Sequence, residues 1–351
     1  TLNHFLWGQV WWYFLLGGLY YSIFQKTTIG EISAGSFFVV TGACGTIIGH
    51  LFEILDGLGG LDIKLKETKD FLKVINHHPS LVHKPNGISV SSHKPPVIEF
   101  SNVSFMYPGT EKSVINNLTL KINPGEHIGI VGENGSGKST FINLLLRLYD
   151  PTHGVIFVNG TDLKDLDRNS YHELIGVLFQ NPQTLGMRIG DFIQSGRKSN
   201  LTEEIRYTDM KQAAGSMNIS ETIEKLPHGY NTRMSRKYKE GHRFSVGQQA
   251  RIHLAQIIYR NPKMIVLDEP NAGLDPIVEA GIIKELHTLS KGKTSIIVAH
   301  KILALKHTTR ILCFENGQII EDGTHEELMG GKRYYWKQFQ AQNPQNHFVT
   351  T

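Results

Sequence analysis

The chain has 351 residues, with 36 Lys and Arg against 32 Asp and Glu, a formal charge of +4 and 40% hydrophobic residues. That length holds one large domain and part of a second, and the charge is too mild for a nucleic-acid-binding surface. Two cysteines cannot make a disulfide framework; Cys44 and Cys313 both lie in apolar runs, as packed thiols of a reducing compartment do.

Composition shifts near residue 60. Residues 5–24 and 32–52 carry no formal charge, and each is long enough to span a bilayer. The first is rich in Trp and Tyr, which favour membrane interfaces; the second holds the small residues that let membrane helices pack closely. The alternative is two buried core helices, since Thr41, Thr46 and His50 moderate the second run. A secretory signal fits poorly, with neither a basic leading region nor a clear cleavage site. Lys64, Lys66, Lys69 and Lys73 follow the second span and place that end in the cytoplasm. We therefore expect a partial transmembrane domain over 1–64 with a helical cytoplasmic extension, a linker over 65–96, a globular domain over 97–340 and a tail over 341–351. His77, His78, His83 and His93 have no carboxylate or cysteine partners at ligand spacing, which favours solvated linker histidines over a metal site.

The globular part announces its chemistry at GENGSGKST, residues 132–140. Gly132 and Gly137 stand five apart with Lys138 and Ser139 next, between an apolar strand and an amphipathic helix. This is a phosphate-binding loop: its backbone N–H groups cradle phosphate oxygens, Lys138 reaches the outer phosphates and the Ser139 hydroxyl ligates Mg²⁺. Asn134, Gly135, Ser136 and Thr140 complete the cradle. A second apolar strand, PKMIVLDEP at 262–270, ends in two carboxylates. Asp268 is placed to complete the Mg²⁺ shell, and Glu269 is the candidate general base for a water attacking the terminal phosphate.

Four further motifs fall in a fixed order around these: SFMYPG containing Tyr107, VLFQNPQ containing Gln180, FSVGQQAR at 244–251 and SIIVAH ending at His300. Together with the phosphate loop and Asp-Glu strand, they resemble the ATP-binding cassette (ABC) family over residues 97 to about 340. The resemblance implies an α/β phosphate-loop NTPase: a RecA-like core with an antiparallel β subdomain and a helical subdomain, here preceded by a partial α-helical transmembrane domain. It implies that Tyr107 stacks on adenine, that Gln180 contacts the cation and the attacking water, and that His300 acts at the γ-phosphate. It also implies that Ser245, Gly247 and Gln248 of the signature motif complete the site of a second cassette-bearing subunit, and that Asp275, at the end of NAGLD, belongs to the nucleotide site. Two ATP molecules would then lie sandwiched between two cassettes.

Phe244 and Val246 replace the usual leucine and first glycine of the signature, and NAGLD departs from the commoner form, so the sequence predicts slowed activity. Retention of Glu269 predicts hydrolysis. The order of two spans, helix, linker and cassette resembles the C-terminal part of an exporter-type half-transporter, and the missing initiator Met predicts a fragment. The phrase KEGHRFSVGQQARIHLAQI resembles peptide and lantibiotic exporters. The expected assembly is a homodimer in the bacterial plasma membrane with its cassettes cytoplasmic, ATP and Mg²⁺ as cofactors, a transported substrate of peptide class and no nucleic acid. A soluble ABC ATPase acting as a switch on another partner is the alternative. The basic segment 234–243 is read either as a solvated face or as a contact for an acidic loop.

Overall fold

A computed structural model describes residues 2–76, 81, 84, 86–91, 93–180, 182, 186–195, 202–269, 290–299 and 301–342. The chain forms two units, Thr1–Ser80 and Leu81–Thr351.

The first unit is a helix pair, α1 (Leu2–Thr28) and α2 (Ala34–Ile75). Ser33 caps α2, its hydroxyl accepting from the Ser36 amide at 3.2 Å. Among the described helices one stretch, Ala34–Leu55, is long and apolar enough to cross a bilayer, with a mean hydropathy of 1.7. At 1.5 Å per residue its 22 residues reach roughly 33 Å, close to a hydrocarbon core of about 30 Å. The other expected span, 5–24, lies within helix α1. The hydroxyls in α2 are satisfied internally: Thr41 Oγ1 donates to Phe37 O at 2.8 Å and Thr46 Oγ1 to Gly42 O at 3.0 Å. Such back-bonding lets threonine sit in an apolar helix without an orphaned donor. Beyond Leu55 the helix continues through Gly57, Gly59 and Gly60 to Ile75.

The second unit contains two sheets. Strands β1 (Ile98–Met106), β2 (Ser113–Ile122), β4 (His153–Val158) and β5 (Thr161–Asp162) make an antiparallel sheet in the order β2-β1-β4-β5. The larger sheet runs β10-β9-β3-β8-β7-β6. It comprises β3 (His127–Gly132), β6 (Ile175–Leu178), β7 (Met264–Asp268), β8 (Thr294–Val298), β9 (Arg310–Glu315) and an antiparallel edge, β10 (Gln318–Gly323). The apolar runs of β3 and β7 are buried along their length, as parallel strands covered on both faces must be.

Helix α3 (Lys138–Leu145) joins the two sheets. Phe141 is fully buried; its ring stacks on Phe100 of β1 at 4.9 Å and lies 5.6 Å from Phe314 of β9. A separate core gathers α4 (Ile189–Gln194), α5 (Glu203–Ser216) and α6 (Val246–Arg260) around Phe192, Met210, Ala214 and Leu254. A third packs Tyr335 and Phe339 of α7 (Tyr334–Gln342) against Ile302, Leu305 and Cys313. Burial pushes the Cys313 thiol well above its ordinary pKa, so it is a packed, unreactive side chain.

Candidate nucleotide site

Strands β3, β8, β7 and β6 are adjacent and parallel, so their carboxyl ends share one edge of the sheet. Ligands of open α/β sheets bind in the crevice along that edge. The phosphate loop leaves β3 there. Gly132 admits no side chain, because a Cβ would lie 2.4 Å from Phe314 O and 2.6 Å from Ser136 Oγ. Gly137 has φ +109 and would meet Ile115 Cδ1 at 2.9 Å. The loop is pinned from outside by Gly317, whose amide donates to Ser136 O at 2.9 Å. That anchor lies 181 residues away in sequence and had no local signal.

Lys138 opens α3 with its side chain 5% exposed. Its Nζ donates to Gly132 O at 2.7 Å and Glu133 O at 2.8 Å. Burial lowers the pKa of this amine, opposed by the negative charges of Glu269 and Asp268. Those two carboxylates are therefore close enough to act on it electrostatically. Ser139 is exposed in the first turn of α3, as are Asn134 and Gly135 in the loop, while Ser136 and Thr140 are buried. Ser136 Oγ has no hydrogen-bond partner among the described residues, a buried polar atom left facing the loop that a phosphate oxygen would satisfy.

Asp268 is the last residue of β7, paired with Val298 of β8, and Glu269 follows it at φ +51. A left-handed conformation is unusual for glutamate and turns its side chain away from the path of the strand. Gln180, two residues beyond β6, donates from Nε2 to Glu269 Oε2 at 2.5 Å. Sequence spacing gave no hint of this bond across 89 residues. The Tyr107 hydroxyl is 3.0 Å from Thr140 Oγ1 and accepts from Asn143 Nδ2 at 3.3 Å. Its ring packs edge-on to Phe105 and Tyr149, so Tyr107 is fixed against the helix that carries the loop.

Ser245 caps α6 in a reciprocal box with Gln248: Ser245 Oγ accepts from the Gln248 amide at 3.3 Å, and Gln248 Oε1 from the Ser245 amide at 3.0 Å. Phe244 is buried, Gly247 is buried and Val246 is 58% exposed in the first turn. No hydrogen bond or ion pair among the described residues joins Ser245, Gly247 or Gln248 to the phosphate loop. His300 and Asp275 lie outside the described residues.

Phosphate loop, sheet order and strand-end carboxylates define a nucleotide-binding phosphate-loop NTPase domain. Residues 115–272 match the family model described as ABC transporter. Residues 115–272 thus form an ABC transporter ATP-binding domain, the kind of domain that acts as an ATPase in exporters. The chain is 32% identical to the putative multidrug export ATP-binding/permease protein YgaD of Bacillus subtilis (strain 168), over 90% of this chain and 53% of that protein. It is 35% identical to ATP-binding cassette sub-family B member 5 of Mus musculus, over 90% of this chain and 24% of that protein. The structure of a bacterial Atm1-family ABC exporter with ATP bound superposes at a TM-score of 0.70 with 26% identity, covering 86% of this chain and 52% of that one. The chain thus spans about half the length of the bacterial relatives it matches.

Proposed function

We propose that the chain hydrolyses Mg-ATP at the crevice bounded by the phosphate loop, Gln180 and Glu269, and that this cycle drives export through a membrane domain to which residues 1–64 contribute. The observation carrying the reading is the approach of Lys138, Asp268, Glu269 and Gln180 along one sheet edge. The Ser139 hydroxyl, the Asp268 carboxylate and the Gln180 amide oxygen offer a hard, all-oxygen donor set, which fits Mg²⁺. When bound, the cation would offset phosphate charge.

The residues then have separable tasks. Lys138 and the loop amides bind the β- and γ-phosphates. Glu269 takes the proton of the attacking water as the bond from the γ-phosphorus to its bridging oxygen breaks, giving ADP and phosphate. Gln180 orients the Glu269 carboxylate until the nucleotide arrives, and His300 contacts the γ-phosphate. Tyr107 offers its ring to the base. Ser245, Gly247, Gln248 and Asp275 serve the nucleotide held by a second copy of the chain; for Ser245, Gly247 and Gln248 this is consistent with the absence, among the described residues, of a hydrogen bond or ion pair to the phosphate loop of their own chain. The exposed Val246 in the first turn of α6 limits backbone approach there and slows turnover.

The apolar Ala34–Leu55 helix and the exporters among the relatives support membrane transport over a soluble switch. Lysines beyond that helix support a cytoplasmic cassette in a bacterial plasma membrane, and the stretch 239–257 supports a peptide substrate. Phosphate release by the full chain in detergent tests the enzyme reading. Activity that requires Mg-ATP, stops on chelation and falls with weakened nucleotide binding in Lys138→Ala is expected. Tight Mg-ATP binding with no phosphate release in the parent would contradict it.

A further inference from the structure

Residues 186–189, beyond Gln180, and the loop leading into Ser245 are fastened to each other. Gly186, six residues beyond Gln180, has φ +64, and a Cβ there would lie 2.5 Å from Tyr238 Cε2. The Tyr238 ring, seven residues before Ser245, therefore rests directly on the glycine backbone. The Arg233 guanidinium stacks 4.5 Å from the centroid of that ring, and its Nη1 donates to Gly186 O at 3.3 Å. Backbone bonds extend the junction: Met234 N donates to Met187 O at 3.0 Å and Ile189 N to Thr232 O at 3.0 Å. The loop is closed by His242 N donating to Arg233 O at 2.8 Å. It is further tightened at Gly241, where a Cβ would meet Ser235 O at 1.9 Å.

Tyr238 is 45% exposed and belongs to none of the three cores. Its ring contributes little to burial, and its contacts with Gly186 and Arg233 lie at the junction of these two segments. Under the proposed function, one segment serves the nucleotide on its own phosphate loop and the other the nucleotide of the second copy. We propose that Tyr238 is a positioning residue that, clasped by Arg233 and Gly186, makes the Gln180 segment and the Ser245 segment move together. Filling one site thereby aligns the signature turn for the other. A tyrosine suits the task because it gives a flat, stiff contact on glycine and a cation-accepting face at the cost of few rotamers.

This inference rests on the two-copy site of the preceding section, and the test separates the two. It uses the full chain in detergent with three readouts: binding of a fluorescent ATP analogue without Mg²⁺, kcat in Mg-ATP, and nucleotide-dependent self-association of the Glu269→Gln form by sedimentation. Tyr238→Ala should leave nucleotide affinity within about twofold, lower kcat about tenfold and, with Glu269→Gln, require about tenfold more protein to associate, the scale of an inter-site coupling. Tyr238→Phe keeps the ring and should restore kcat and association. Unchanged kcat and association in Tyr238→Ala would overturn the clasp. So would an equal loss of binding and turnover, or no rescue by phenylalanine, because Tyr238 would then be only a structural prop. If Glu269→Gln with Tyr238 intact fails to associate, the two-copy reading falls first and this inference falls with it.

Discussion

Gln180 Nε2 and Glu269 Oε2 are 2.5 Å apart, joining the segment after β6 to the residue after β7. The bond holds the candidate base by its carboxylate while the backbone at φ +51 fixes its direction. Glu269→Gln retains an oxygen that can accept from Gln180 but cannot take a proton. We predict that ATP still binds while turnover falls about 10²-fold or more, the scale of losing a general base. Steady-state phosphate release within twofold of the parent would remove Glu269 from that role.

Nucleotide affinity should weaken at alkaline pH. Burial lowers the Lys138 pKa, with Glu269 and Asp268 opposing the shift, so the amine loses its proton below the usual lysine value of 10.5. Below that point Lys138 is charged and pairs with phosphate; above it the pairing is lost. For the free protein the sign is opposite: the penalty of burying the charge is present at low pH and relieved as pH rises through the lowered value. Titration of a fluorescent ATP analogue from neutral pH to about 10 reads the first effect, and a flat dissociation constant would contradict it.

Tyr107 has two separable attachments. Tyr107→Phe removes its hydroxyl contacts with Thr140 and Asn143, a loss of about 1 kcal/mol per hydrogen bond, and keeps the ring. The ATP KM should stay within about twofold. Tyr107→Ala also removes the packing on Phe105 and Tyr149, so KM should rise together with a fall in thermal stability while kcat changes little. Because stacking tolerates any purine, GTP should be accepted alongside ATP. A collapse of kcat at constant KM would make this tyrosine purely structural.

The phosphate loop depends on the packing beneath its helix. Phe141 is 0% exposed between Phe100 and Phe314, so Phe141→Ala leaves a cavity and should cost about 3–5 kcal/mol. Denaturant unfolding measures it; a cost under 1 kcal/mol would mean that the two sheets are not joined through this ring.

What the sequence made legible was local. The phosphate loop and the Asp-Glu strand are short runs whose residue types and spacing are set by the chemistry itself, and the apolar strands around them follow from burial on both faces. The long-range partners carried no such mark. Neither Gly317 beneath the loop, nor the bond from Gln180 to Glu269, nor the Tyr238 ring on Gly186 follows from periodicity, because each depends on how distant segments close on one another. Helix α2 was legible through its periodicity: residues 54–75 keep a partly helical pattern, and the helix runs on to Ile75 although Gly57, Gly59 and Gly60 each cost about 1 kcal/mol of helix propensity, with Lys73 paired to Asp70 at 3.2 Å near its end.

Under the proposed function a working site needs two copies of the chain, the phosphate loop of one and the signature turn of the other. The unit 81–351 contains its own three cores and can be studied alone. Light scattering on this unit carrying Glu269→Gln is the most direct measurement: it should be monomeric without nucleotide and dimeric in saturating Mg-ATP, and Ser245→Arg should abolish the dimer without unfolding the protein. A species that stays monomeric at high concentration with Mg-ATP bound would contradict the shared site and the export cycle built on its closure.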